Sequence, residues 1–266
     1  INARNDAADL ISFMNEKINI AIIAGQLVVG GAEKQLYLWL ANLNRDRFNP
    51  VVVTLHPGHE DFWEKSIEDL GVPIYRVKRN SNRISRLIEI INILRPHNPD
   101  LIHGWHNFAG AYAGMASKVL GAKSLGGIRS SYRAIKGTWE TRLTRVFCDA
   151  VLSNSKVTGA AYRASQKHKK QQVFSVQNAI EIEFEDRAEV RDHLSEVFGF
   201  PKDALWVASI GRVDPLKRFD DFLRLASMLK DTSIKAQFLL VGDGPEKKAL
   251  EKLAQSLDVE DMVTLT

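Results

Sequence analysis

The chain has 266 residues, 45% hydrophobic and 26% charged, the balance of an ordinary globular protein with one large core or two modest ones. That composition excludes a disordered, collagenous or disulfide-stapled chain; no stretch approaches the ~20 apolar residues of a membrane span, and the N-terminus carries no signal-peptide pattern. The net charge of +4 is mild, and the single cysteine, Cys148, cannot form an internal bridge, so a reducing compartment fits and Cys148 reads as a small core residue.

The chain begins at Ile1 and is expected to be part of a longer polypeptide, with residues 1–17 an added helical arm. From residue 18 short β-branched runs alternate with amphipathic segments. Strands are predicted at Ile18–Ala24, Val51–Leu55, Ile74–Val77, Leu101–His103, Ser124–Ile128, Ala150–Ser153 and Val173–Gln177. Helical patterns lie between them, near 31–44, 60–70, 82–94, 107–120, 138–147 and 155–165. Alternation of this kind implies βαβ units and a parallel sheet. After Asn178 an acidic stretch, Glu181 to Asp186, interrupts the pattern, and a helix follows at 187–198. The pattern then restarts: strand 205–210, helix 218–230, strand 237–241, helix 245–257, strand edge 262–265. The expected organisation is an arm at 1–17, an α/β domain at 18–180, a linker and helix at 181–203, and a second, partial α/β domain at 204–266.

Each half opens with a strand that ends in a glycine-bearing loop feeding a helix. In open α/β sheets ligands bind at such loops, beyond the carboxyl ends of the strands, so the two loops are expected to grip one ligand. Gly30 and Gly31, before Ala32 and Glu33, can admit an oxyanion to backbone N–H groups at a helix start, or form a plain tight turn. There is no G-x-G-x-x-G fingerprint. Gly211, Arg212 and Lys217 form the more informative loop: Arg212 offers a planar donor fork, and Lys217 with Arg218 places cations at a helix start, against the dipole, where an anion is wanted. Gly242, Asp243 and Gly244, before Pro245, make a strand-to-helix turn in which Asp243 caps the helix or lines a nucleotide pocket. His103 and His106 sit where a strand gives way to a small-residue helix and can position a hydroxyl, and Trp105 between them offers a face on which sugars stack. Each histidine can equally be structural. Neither D-x-D, a Walker loop nor G-x-S-x-G occurs, so a diphosphate-bound metal is not expected. Three basic clusters (Arg76, Lys78, Arg79, Arg83 and Arg86; Arg129, Arg133 and Lys136; Lys167 to Lys170) are solvated faces or anion-binding surfaces.

Taken in order, Gly30-Gly31-Ala32-Glu33, Pro99 to His103, Gly127 to Ser131, Ser153-Asn154-Ser155, Gln177 to Glu181, Gly211-Arg212 with Lys217, and Val241 to Pro245 resemble the family-4 retaining glycosyltransferases of GT-B fold. The resemblance implies two Rossmann-like domains and a hexose moved, with retention, from a nucleotide diphosphate of UDP or GDP type to a hydroxyl of a glycan or lipid-linked glycan. Arg212 and Lys217 would hold the diphosphate, Gly30, Gly31, Gly242, Asp243 and Gly244 would line the nucleotide, and His106 or His103 would meet the transferred sugar. It implies no metal, no cofactor beyond the donor and no nucleic-acid partner. The implied location is cytoplasmic, with peripheral contact to an anionic membrane face. The sequence departs from the family at Arg218, where glycine is common, and the family's E-x7-E element would fall past Thr266. A GT-B nucleotide-sugar epimerase and a non-catalytic sugar-nucleotide-binding subunit are the alternatives.

Overall fold

The computed structural model describes residues 17–56, 61–78, 82–166, 171–182 and 185–266. The expected arm before residue 17, Arg79, the basic run 167–170 and Glu183-Phe184 of the acidic stretch lie outside the described residues. The chain forms two compact units, residues 1–180 and 181–266. The expected α/β architecture holds in both.

The first unit is a parallel sheet of seven strands: β1 (Ile18–Ala24), β2 (Phe48–Thr54), β3 (Ile74–Arg76), β4 (Leu101–Gly104), β5 (Lys123–Ile128), β6 (Ala150–Ser153) and β7 (Gln172–Ser175). They lie in the order β3-β2-β1-β4-β5-β6-β7. The helices between them are α1 (Gly31–Ala41), α2 (Glu64–Asp69), α3 (Arg83–Leu94), α4 (Asn107–Leu120), α5 (Tyr132–Ile135), α6 (Trp139–Phe147) and α7 (Lys156–Ala164). β1 is apolar and buried from Ile20 to Ala24, because both of its faces are covered there. Ala21 and Ile23 join a core with α3 and α4, while Ile20, Ile22 and Ala24 join one with α1 and α2. Cys148 is buried as expected, its thiol donating to the Gly110 carbonyl. The strand order reverses between β1 and β4, so the connections leaving these two neighbours run in opposite directions. A crevice opens between the starts of α1 and α4, where ligands bind in sheets of this kind.

The second unit contains α8 (Arg187–Phe198), β8 (Leu205–Ile210), α9 (Phe219–Lys230), β9 (Ala236–Val241), α10 (Lys247–Ser256) and β10 (Val263–Leu265), with strand order β10-β9-β8. Asp186, the last acid of the acidic stretch, caps α8 by accepting the amides of Ala188 and Glu189, and Gly199 ends the helix in the left-handed conformation (φ 69°). The core joins Leu223 and Ala226 of α9 to Phe238 and Leu240 of β9 and Leu250 and Ala254 of α10.

Candidate active site

The crevice of the first unit brings together residues far apart in sequence. β1 delivers Gly25, α1 delivers Glu33 in its first turn, and His106 is the residue immediately before α4. The Gly25 amide donates to His106 Nδ1 at 3.3 Å, so the ring proton belongs on Nε2, which donates to Glu33 Oε1 at 3.1 Å. His106 stacks on Phe108, with ring centroids 5.4 Å apart and 7° between the planes. A cleft of about 360 Å³ opens here, lined by Gln26, Val28, Glu33, His56, His106 and Phe108. Burial would raise the Glu33 carboxyl, but the His106 hydrogen bond, its own amide and the electrostatic pull of the His106 ring and of Arg129 outweigh it and hold the group below its usual range. Burial first, and then the Arg86 guanidinium, pull His56 below the ordinary imidazole value.

The two histidines separate cleanly. His103 lies within β4 and is buried; its Nδ1–H donates to the Leu125 carbonyl at 3.0 Å, and Nε2 has no partner. Burial pulls it down to about 4, so it is neutral near pH 7. Only His106 reaches the cleft. Trp105 corrects the expectation of a sugar platform: it is 3% exposed, its indole donates to the Ala32 carbonyl, and Arg129 covers one ring face at 3.6 Å. A side chain turned inward at the end of β4 has no face left for a ligand. Of the glycine pair, Gly30 is overlaid by Glu33, whose Oε2 would collide with any Cβ there, whereas Gly31 faces open space. The Glu33 carboxylate thus lies over Gly30 at the start of α1, where the helix dipole favours an anion.

In the second unit the loops after β8 and β9 lock together. A Cβ on Gly242 (φ 150°) would strike the Gly211 carbonyl, and one on Gly244 (φ 159°) the Val213 carbonyl. Arg212 is 75% exposed and pairs with Asp214 at 2.8 Å. The Lys217 side chain lies beside Gly211 and makes no ion pair among the described residues. Arg218 corrects another expectation: it precedes α9 in the left-handed region (φ 54°) and pairs with Asp220 and Asp221 of the first turn, so it asks for no external anion. Asp243 does not cap α10 either. Its carboxylate accepts the Gly244 amide, and the helix begins after Glu246 without a side-chain cap.

Residues 29–184 match the Glycosyltransferase Family 4 sequence model, and residues 190–266 match Glycosyl transferases group 1. The chain belongs to glycosyltransferase family 4. It is 25% identical over 240 residues, 89% of its own length, to the lipopolysaccharide core biosynthesis glycosyltransferase LpsD of Rhizobium meliloti (strain 1021), and spans 63% of that relative. Its fold is that of Anabaena Alr3699/HepE, solved with UDP and glucose (TM-score 0.74, 16% identity, 93% of this chain and 68% of that one). It also matches the lipopolysaccharide outer core galactosyltransferase WaaB in its apo form (TM-score 0.66, 16% identity, 93% and 67%). This places the family-4 chain among GT-B folds.

Sequence reasoning missed three residues of this family-4 chain that the structure brings to its loops, Phe108 under His106, His56 in the cleft and Asp214 on Arg212, and it named Arg129 as part of a basic cluster without its contact to Trp105. Asp214 could have been found from Arg212-x-Asp214 spacing. The others are joined only by the fold. Within the basic clusters, Arg76 pairs with Glu64 and Glu68, Arg83 lies 4.3 Å from the Trp139 ring, and Arg129 is on Trp105. Among the described residues no helix is long and apolar enough to cross a membrane.

Proposed function

We propose that this family-4 chain handles the donor and acceptor of a retaining, metal-independent glycosyltransferase that moves a hexose from a UDP- or GDP-type donor to a hydroxyl of a glycan or lipid-linked glycan. The observation that carries the reading is the pair of exposed cations, Arg212 and Lys217, at the carboxyl end of β8, with Lys217 free of any ion pair among the described residues. Charge that builds on a departing diphosphate would be stabilised by such fixed cations. Arg212 then exchanges its intramolecular carboxylate, Asp214, for a phosphate oxygen. The interlocked loops after β8 and β9 would receive the nucleotide, and in the first unit His106, oriented by Glu33, faces a cleft that would admit the sugar or the acceptor hydroxyl.

The relatives support this assignment. HepE was solved with UDP-glucose, and LpsD is named for lipopolysaccharide core biosynthesis. Calorimetric titration with UDP and GDP tests the diphosphate site: Arg212→Ala and Lys217→Ala should each weaken binding about tenfold or more, the usual effect of losing a charged hydrogen bond. Unchanged affinity in both variants would discard the site. Labelled donor separates transfer from epimerisation and from no turnover, the anomeric configuration of the product tests retention, and activity in EDTA tests metal independence. Peripheral membrane contact would have to use cations other than Arg76 and Arg83, and is tested by co-sedimentation with anionic liposomes across a salt series.

A further inference from the structure

Arg129 follows β5, beside the crevice, and is half-buried. Its guanidinium lies flat on the Trp105 ring at 3.6 Å, and its Nε–H donates to the Trp105 carbonyl at 3.0 Å. These two contacts fix the plane of the fork and spend one of its five donors. The two η nitrogens have no hydrogen-bond acceptor among the described residues, and no carboxylate comes within ion-pairing distance. Glu33 is the acid that Arg129 feels, but its carboxylate is already engaged by His106 and by its own amide.

A charge withdrawn from water without a paired partner is costly, and proteins rarely retain one unless something binds it. A half-buried guanidinium held rigidly by an indole, with its outer edge free, has the geometry of a bidentate oxyanion receptor. Burial lowers Arg129 to about 10, opposed by Glu33, so it stays charged near pH 7. The loop of the second unit does not share this character, because Arg212 there is exposed and already paired.

We infer that Arg129 is an oxyanion-binding fork, and that the acceptor entering this crevice carries a phosphate or carboxylate group. This rests on the reading of the chain as a glycosyltransferase, and it narrows the acceptor from any hydroxyl-bearing glycan to an anionic one. His106 and Glu33 then meet the hydroxyl while Arg129 holds the charged substituent.

Calorimetric titration with glucose 1-phosphate, glucuronate and glucose tests it in the Arg212→Ala/Lys217→Ala protein, where the second unit's cations no longer contribute. Both anionic sugars should bind more tightly than glucose. Arg129→Lys, which keeps the charge but not the fork, should lose about tenfold, and Arg129→Gln should reduce them to the level of glucose. Tryptophan fluorescence and thermal unfolding establish that each variant is folded, and Arg129→Lys remains informative if Arg129→Gln is not. Equal affinity for glucose and the anionic sugars, no binding of any of them, or full affinity in a folded Arg129→Lys protein would overturn the inference. UDP affinity measured in the protein with Arg212 and Lys217 intact should be unchanged by either Arg129 substitution, so failure here is distinct from failure of the diphosphate site.

Discussion

His103 and His106 are three residues apart and carry opposite chemistry. The ring of His103 is sealed inside β4, with one nitrogen on the Leu125 carbonyl and the other unpartnered, and burial lowers it to about 4. An unfolded histidine titrates near 6.5, so between about pH 6.5 and 4 the unfolded chain binds a proton that the folded chain refuses. Stability therefore falls as the solution is acidified through that window, by ~3 kcal/mol at the limit from this group alone. His103→Gln, which cannot titrate, should flatten this part of the profile, as read from urea midpoints at pH 7 and pH 5. An unaltered slope would mean that the ring is not sealed. Glu33 acts at lower pH: its depressed carboxyl contributes stability above the ordinary glutamate value that is lost as pH falls through the folded one. His106 is where catalysis should respond. With Nδ1 on the Gly25 amide and Nε2 on Glu33, the ring is held in one tautomer. His106→Ala should lower turnover by about 10²-fold or more, with UDP affinity little changed, because general acid–base and positioning groups act on the reacting centre. A fall in UDP affinity matching the fall in turnover would place His106 with the nucleotide instead.

At the scale of elements, α4 shows how small residues bring chemistry to a crevice. It is buried along Ala109, Gly110, Ala111, Ala113, Gly114 and Ala116, and this thin face lets it lie close to β4, β5 and α6. A Cβ on Gly114 would stand 2.8 Å from the Phe147 Cβ and 2.9 Å from the Cys148 amide. Gly114→Val should therefore cost about 1–3 kcal/mol through overpacking, measured by denaturant unfolding. A neutral result would show that α6 can retreat. Much of this was legible beforehand, since β-branched runs gave nearly every strand and the small-residue run gave α4. The strand expected at Val51–Leu55 starts three residues earlier, at Phe48: Pro50 pairs with Ile20 within it, because β3 joins β2 only from Val52 onward and no donor is wanted on that side. The site was less legible. Strand and helix periods put both histidines at one boundary, but whether a ring turns into the sheet or toward the cleft depends on β4 ending at Gly104. Glu33 and Arg129, the partners that give His106 and Trp105 their roles, lie 73 and 24 residues away from them. No local pattern joins such pairs.

This chain forms two units of unequal depth. The first has a seven-stranded sheet with cores on both faces; the second has three strands, with edge strand β8 exposing Leu205 and Ile210. Opening free energy follows buried apolar contact, so amide exchange should be slower at the centre of β1 and β4 than in β8. A ligand that binds only the folded state raises protection by RT ln(1 + [L]/Kd), about 2.7 kcal/mol at a hundredfold excess over Kd. With the diphosphate site proposed at the loops after β8 and β9, saturating UDP should protect residues 205–217 and 236–244 most, and Lys217→Ala should remove most of that gain. Protection confined to β1, β4 and the start of α1 would move the nucleotide to the first unit's crevice, where Glu33 already occupies the helix end, and the roles of the two loops would have to be exchanged.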